Sequence, residues 1–252
     1  MSRKNLLFIT EGEIDEPKFI DKYFKKCYPN IEYNYYTYTT DIHTLARLLF
    51  KDEENIDEYL DIKSVLKENE KNEYRRQILS KRYSDIILVF DFDPHATRPE
   101  FGKIYKMLEF FNDSTNNGKL YINYPMMQSY RHICIYPEED CDFKDRTIDI
   151  KKCSKYKQIV DKESCFQNIN KYNYPKIMKI VGYQLKKANY ILNKEYTIPN
   201  EETLKKIDLN NIYNIQCKKK DEESNIYVLN TFMLHLVEYN PKRIIENIRI
   251  FE

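Results

Sequence analysis

The chain has 252 residues, of which 42% are hydrophobic and 32% charged, a balance that excludes a disordered protein and suits a globular α/β or helical one. A formal net charge of +1 gives no global electrostatic sign of a nucleic-acid partner. No stretch approaches the ~20 apolar residues of a membrane span, and the apolar run after the first few residues is too short for a secretory signal, so a cytoplasmic protein is expected.

The first element is Leu6-Leu-Phe-Ile-Thr10, a short apolar run that reads as a buried strand and ends in Glu11-Gly-Glu. Residues 16–27 follow with Phe19, Ile20, Tyr23 and Phe24 at helical spacing, and Pro17 fits a first helical turn because its missing N–H has no partner there anyway. Residues 31–39, rich in Tyr and Thr, read as a second strand. Asp41 is placed as an N-cap before a helix carrying Leu45, Leu48 and Leu49. Residues 52–82 are strongly charged and are expected to form exposed helices. Asp85-Ile-Ile-Leu-Val-Phe90 has the continuous apolar character of a central parallel strand buried on both faces, and it ends in Asp91-Phe-Asp-Pro-His95. An amphipathic helix is predicted over 100–111, a polar turn over 112–118 and a short strand over 120–122. Residues 131–157 read as irregular, with an acidic stretch from Glu138 to Asp142. From about 158 the pattern is helical to the end, clearest over 177–192 and 226–239.

Alternating strands and helices up to about 125 predict an α/β fold with a mostly parallel sheet flanked by helices, followed by a helical C-terminal part. The expected division is 1–150 for the α/β domain and 151–252 for the helical one. The charge divides in the same place. Residues 151–252 carry 19 Lys+Arg against 12 Asp+Glu, a balance of +7, which leaves −6 for residues 1–150. An acidic catalytic face beside a basic helical part is a pattern that a metal-dependent nucleic-acid enzyme can use, although ordinary solvated charge explains it equally well. The six cysteines contain no Cys-x-x-Cys pair and no zinc-site spacing, and read as reduced thiols.

Open α/β sheets bind ligands at the carboxyl ends of their strands, and both clear apolar strands here end in acid. Glu11 follows the first, with Glu13 two residues on; Asp91 and Asp93 follow the third. On an extended chain, side chains two residues apart point the same way, so the Asp-x-Asp carboxylates are expected to share a face and repel. A hard dication relieves that repulsion, and Mg²⁺ favours a few carboxylates completed by water and phosphate oxygens. Gly12 gives the backbone freedom to turn tightly next to a ligand.

Strand-Glu-Gly followed later by strand-Asp-x-Asp resembles the TOPRIM domain shared by topoisomerases, primases, recombination proteins and OLD-type nucleases. The resemblance is greatest to small RloB-like TOPRIM proteins of bacterial phage-defence loci. Their opening acidic segment stands here as Glu11-Gly-Glu-Ile-Asp-Glu-Pro-Lys-Phe-Ile20, their Asp-x-Asp as Asp91-Phe-Asp93, and a later segment has a looser echo in residues 122–130. The resemblance covers about residues 5–132 and implies a Mg²⁺- or Mn²⁺-dependent nuclease acting on DNA or RNA, tRNA included. Asp91 and Asp93 would then be metal ligands, and Glu11 a further ligand or a general acid/base. Such proteins often work beside an ATPase. This chain has no Gly-x-x-x-x-Gly-Lys-Ser/Thr, so an ATPase would be a separate polypeptide. One departure is Gln128, where the family pattern has a final acidic residue; it favours the alternative of a non-catalytic module that binds nucleic acid or a partner. A haloacid-dehalogenase-type phosphatase also uses strand-Asp-x-Asp, but His95 stands where that pattern has Thr or Val.

Further residues have bland readings beside functional ones. His95 can be an acid/base or an ordinary loop residue, and Arg131 a phosphate clamp or a surface ion pair. His132 follows it in the same segment. His43 and His235 are expected to be packing or surface residues. Asp142 reads as part of a solvated loop and Lys218-Lys-Lys220 as solvated charge, because three acids follow at once.

Overall fold

A computed structural model describes residues 4–51, 53–133, 143–166 and 168–251. Strands β1 (Asn5–Thr10), β2 (Glu32–Thr37), β3 (Asp85–Asp91) and β5 (Gly118–Tyr124) run parallel in the order β2-β1-β3-β5. The short β4 (Asn112–Asp113) pairs antiparallel with β5. The sequence explains this order. Leu6–Ile9 and Ile86–Phe90 are apolar at every position because β1 and β3 are covered on both faces. The polar, Tyr-rich β2 takes the edge, where only Tyr36 is fully buried.

Register assigns the faces. Phe8 lies opposite Ile87, so Ile87, Val89 and Asp91 share its side of the sheet. Helices α1 (Asp15–Cys27) and α10 (Phe232–Glu238) cover this side, with Phe8 packed against Phe24 and Phe232. Leu88, Phe90 and Phe92 face the other way. There Phe92 meets Phe101 at the start of α5 (Phe101–Phe110) and Tyr213 of α9 (Leu209–Glu223), while α2 (Ile42–Phe50) packs on α5. Asp41 caps α2 as expected, accepting the Thr44 N–H at 2.8 Å. The charged segment after α2 holds two short helices, α3 (Ile62–Asn69) and α4 (Glu73–Ser80).

One core runs across residue 150. Strand β6 (Thr147–Asp149) pairs with β7 (Asn225–Tyr227), β8 (Leu229–Asn230) joins the main sheet antiparallel to β5, and α10 covers the sheet itself. The remaining helices are α6 (Tyr156–Glu163), α7 (Tyr174–Asn193), α8 (Glu201–Lys205) and α11 (Pro241–Phe251), and α7 packs against α1, α9, α10 and α11. The helix expected over 226–239 therefore begins only at Phe232. Gln216 of α9 holds Tyr227 by both its N–H and its C=O, at 2.8 and 2.9 Å, which keeps this segment extended. Among the described residues no helix is long and apolar enough to cross a membrane, and Cys27, Cys153, Cys165 and Cys217 are free thiols. The acidic stretch ending in Asp142, with Cys134 and Cys141, lies outside the described residues.

Candidate functional site

The carboxyl edge of the parallel sheet is built by three chain ends. After β1, the Glu11 N–H continues the ladder to the Val89 carbonyl at 3.3 Å. The Glu11 side chain then turns across the sheet, and its Oε2 accepts the Asp91 N–H at 3.1 Å. Asp91 closes β3 opposite Asn123 of β5. Glu11 and Asp91 thus meet over the middle of the sheet and line an open cleft of about 700 Å³.

A third carboxylate joins them. Glu16, in the first turn of α1, is only 4% exposed, and the backbone N–H groups of Glu16 and Gly12 partly offset the effect of its burial. A Cβ on residue 12 would collide with Glu16 Oε2, so the glycine makes room for a neighbouring acid as well as for the turn.

The electrostatics are those of crowded acids. Burial pushes the Glu11 carboxyl up to about 8; the Asp91 N–H opposes this, while Glu16, Asp93 and Asp41 add to it. Burial, then Glu11 and Glu16, push Asp91 well above the usual carboxylate range, against the Met127 N–H and the Asn123 side chain, which oppose the rise. Glu16 is raised by burial and by Asp15. Asp91 Oδ1 is buried and accepts no hydrogen bond. A buried carboxylate oxygen without a donor is costly, and a bound cation would remove that cost.

The rest of the cleft is less acidic. Gln128 is buried, and its Nε2 donates to Asp15 Oδ2 at 2.7 Å; Lys157 of α6 reaches the same oxygen at 2.6 Å. Glu13 lines the cleft from an exposed turn, and Ile14, 73% exposed, stands at its lip. Asp93 departs from expectation. The strand ends at Asp91, Asp93 takes a left-handed φ of 40°, and the extended geometry that would align the two carboxylates is lost. Asp93 does not line the cleft with Glu11 and Asp91, although its charge still raises Glu11. Among the described residues, no three His, Cys, Asp or Glu side chains are gathered to hold an ion by themselves. The donor set is nonetheless all hard oxygen, and Mg²⁺ is ordinarily bound by one or two carboxylates with water and substrate phosphate.

His43 and His235 are buried, within the packing role expected of them. His43 is fully buried and fixes the Asp-x-Asp turn. Its Nδ1 accepts the Glu100 N–H at 2.9 Å, which leaves the proton on Nε2 to be donated to the Asp93 carbonyl at 3.1 Å. His95 is exposed and hydrogen-bonds the Ile150 carbonyl. His132 is buried between Tyr156 and Glu163, and burial and then Arg146 hold it neutral, its pKa down to about 4. Arg131 does form an ion pair, with the exposed Asp161, but the Arg131 side chain itself is buried. His235 packs among Phe24, Phe232 and Tyr239. Lys218, Lys219 and Lys220 pair with Glu222, Glu223 and Asp221; only Lys218 is solvated as expected, while Lys219 and Lys220 are largely covered, over the rings of Tyr227 and Phe101.

Glu16, Asp15 and Lys157 were not singled out by the sequence. Acids in a first helical turn ordinarily complement the helix dipole, which hides any other use. Lys157 comes from a segment with no motif. Compared with known proteins, no family model, no curated protein and no solved structure matches the chain.

Proposed function

We propose that this chain is a Mg²⁺- or Mn²⁺-dependent nuclease of TOPRIM type that hydrolyses phosphodiesters of DNA or RNA. The observation that carries this reading is Asp91: a half-buried carboxylate whose buried Oδ1 has no donor, beside Glu11, at the carboxyl edge of a parallel sheet. The motif resemblance, strand-Glu11-Gly12 and strand-Asp91-x-Asp93, supports it.

Asp91 and Glu11 would hold the metal, with Glu16 close behind them and Asp93 joining if its turn adjusts. The metal, when bound, neutralises charge developing on the phosphoryl oxygens and lowers the pKa of a coordinated water. Without metal, Glu11 Oε2 accepts from the Asp91 amide and burial favours its protonated form; holding the metal would require that proton to leave. Glu16 is buried and Glu11 and Asp91 are half-buried at the cleft wall, where partial removal from water strengthens their hold on positive charge.

Gln128 favours a second reading. The residue at the loosely matched family position carries no charge and donates to Asp15, as suits a module that binds without cutting. Labelled DNA, labelled RNA and a total tRNA pool, each with Mg²⁺, Mn²⁺ or EDTA, separate the two. Metal-dependent cutting that Asp91→Ala lowers by ~1,000-fold, the scale of a lost transition-state stabiliser, supports the nuclease. Binding without cutting in every metal supports the module.

A further inference from the structure

The cleft changes sign along its length. At one end stand Glu11, Glu16 and Asp91. Past Gln128 it adjoins a smaller cavity of about 120 Å³, lined by Lys18, Arg131 and Lys157. The two spaces share Asp15, Met127, Gln128 and Lys157 as walls, so they adjoin at the contacts of Asp15 with Gln128 and Lys157. The smaller one holds about four waters at ~30 Å³ each, the scale of a tetrahedral oxyanion.

The polar groups there are arranged for an anionic oxygen. The Lys157 ammonium and the Gln128 amide converge on one atom, Asp15 Oδ2, from 2.6 and 2.7 Å. The guanidinium of Arg131, 7% exposed and braced by Asp161, forms a rigid wall, and Lys18 of α1 adds a second exposed ammonium. Three cations thus face two carboxylates, Asp15 and Asp161. A second anion entering from the acidic end would complete the balance that Asp15 only partly supplies.

We infer that this cavity is a phosphate subsite for the nucleotide next to the one cut, and that Asp15 occupies it as a stand-in until substrate arrives. The inference rests on the nuclease reading and sharpens it. The substrate is a chain with at least two consecutive phosphates, one at the acidic end with its cation and one between Lys18, Lys157 and Gln128. A mononucleotide fills only one of the two spaces.

The test is fluorescence anisotropy of the full chain with labelled single-stranded 12-nucleotide DNA and RNA in Ca²⁺ buffer. Lys18→Ala/Lys157→Ala changes two exposed side chains and should keep the wild-type melting temperature. It should weaken binding about 10-fold and flatten the plot of log K against log salt by about 1.4, two contacts at ~0.7 each for a single strand. Asp15→Asn should tighten binding about 3-fold, whereas Glu202→Gln, the same charge change on an exposed pair of α8, should leave it unchanged. A 5′-phosphorylated dinucleotide should compete about 10-fold better than a mononucleotide. Wild-type affinity in the lysine variant, equal effects of Asp15→Asn and Glu202→Gln, equal competition by the two small ligands, or no binding of either polymer by wild type would each overturn the subsite. Metal-dependent cleavage that survives unchanged in the lysine variant would remove the subsite and leave the nuclease. The expected binding pattern without cleavage in Mg²⁺ or Mn²⁺ would keep the subsite and remove the nuclease.

Discussion

Two regions of this molecule bury polar side chains, and they treat them in opposite ways. In the C-terminal half, Lys187 of α7 is fully buried, yet its ammonium donates to the carbonyls of Phe143, Lys144 and Arg146. Gln184 on the same helix gives its amide to the Ser129 carbonyl and accepts the Asn230 N–H. Gln216 saturates Tyr227. At the sheet edge, Glu11, Glu16 and Asp91 are crowded together with raised pKa values and an orphaned oxygen. The first pattern holds the fold. The second opposes it, and a bound cation, as proposed, would relieve that opposition. His235 complicates the division: its Nε2 is buried without a partner in the C-terminal half, among aromatic rings and away from the cleft. An unpaired nitrogen on a neutral ring costs far less than an unpaired carboxylate oxygen.

The largest effect expected from this contrast is on Asp91. Asp91→Asn should abolish metal-dependent cleavage, by ~1,000-fold or more, while raising the melting temperature of the metal-free protein, because the cost of desolvating an acid, and then its repulsion with Glu11 and Glu16, is removed. A variant both inactive and less stable would break the contrast. Next comes Lys187→Met, which should cost about 3 kcal/mol in denaturant unfolding by leaving buried carbonyls without a donor. Its folded fraction should cut at the wild-type rate.

The pH dependence is smaller and has a definite sign. Glu11 has a folded pKa near 8, above its unfolded value of 4.5, so its contribution to stability is complete below about 4.5 and lost as pH rises through 8. The metal-free protein should therefore melt at a lower temperature at pH 8 than at pH 5.5, and added Mg²⁺ should raise the melting temperature more at pH 8. His235 acts at the other end. Burial holds it neutral, its pKa down to about 3, so stability falls as pH drops below 6.5, and His235→Phe should lessen that loss in acid melts. The smallest effect is that of Lys218→Ala, expected within ~0.5 kcal/mol of wild type because its pair with Glu222 is exposed.

Much of the scaffold was legible in the sequence because burial on both faces leaves an unbroken apolar run. Leu6–Ile9 and Ile86–Phe90 announced the two central strands, and the acids after them marked the edge. The Asp41 cap was legible from its residue type. The strands after Asn225 were not, since an apolar run of that length suits helix or strand alike, and the hold of Gln216 on Tyr227 is a tertiary contact. Residue 150 marked a change in charge, which carries no information about packing, and the core crosses it. The departure of Asp93 from the cleft turns on one left-handed residue and on His43, whose buried ring gave no signal beyond an isolated histidine in a helix. Glu16 was hidden by the ordinary preference for acids at a helix start.

The proposed cation site can be tested without a substrate. Isothermal titration of Mg²⁺ and Mn²⁺ into wild type and Asp91→Asn, at pH 6.5 and 8.0 and in two buffers of different ionisation enthalpy, measures affinity and proton release together. Binding that strengthens with pH, expels protons from the raised carboxyls and vanishes in Asp91→Asn is the expected result. Wild type that takes up neither ion, or an Asn variant that binds as wild type does with no protons released, would contradict it.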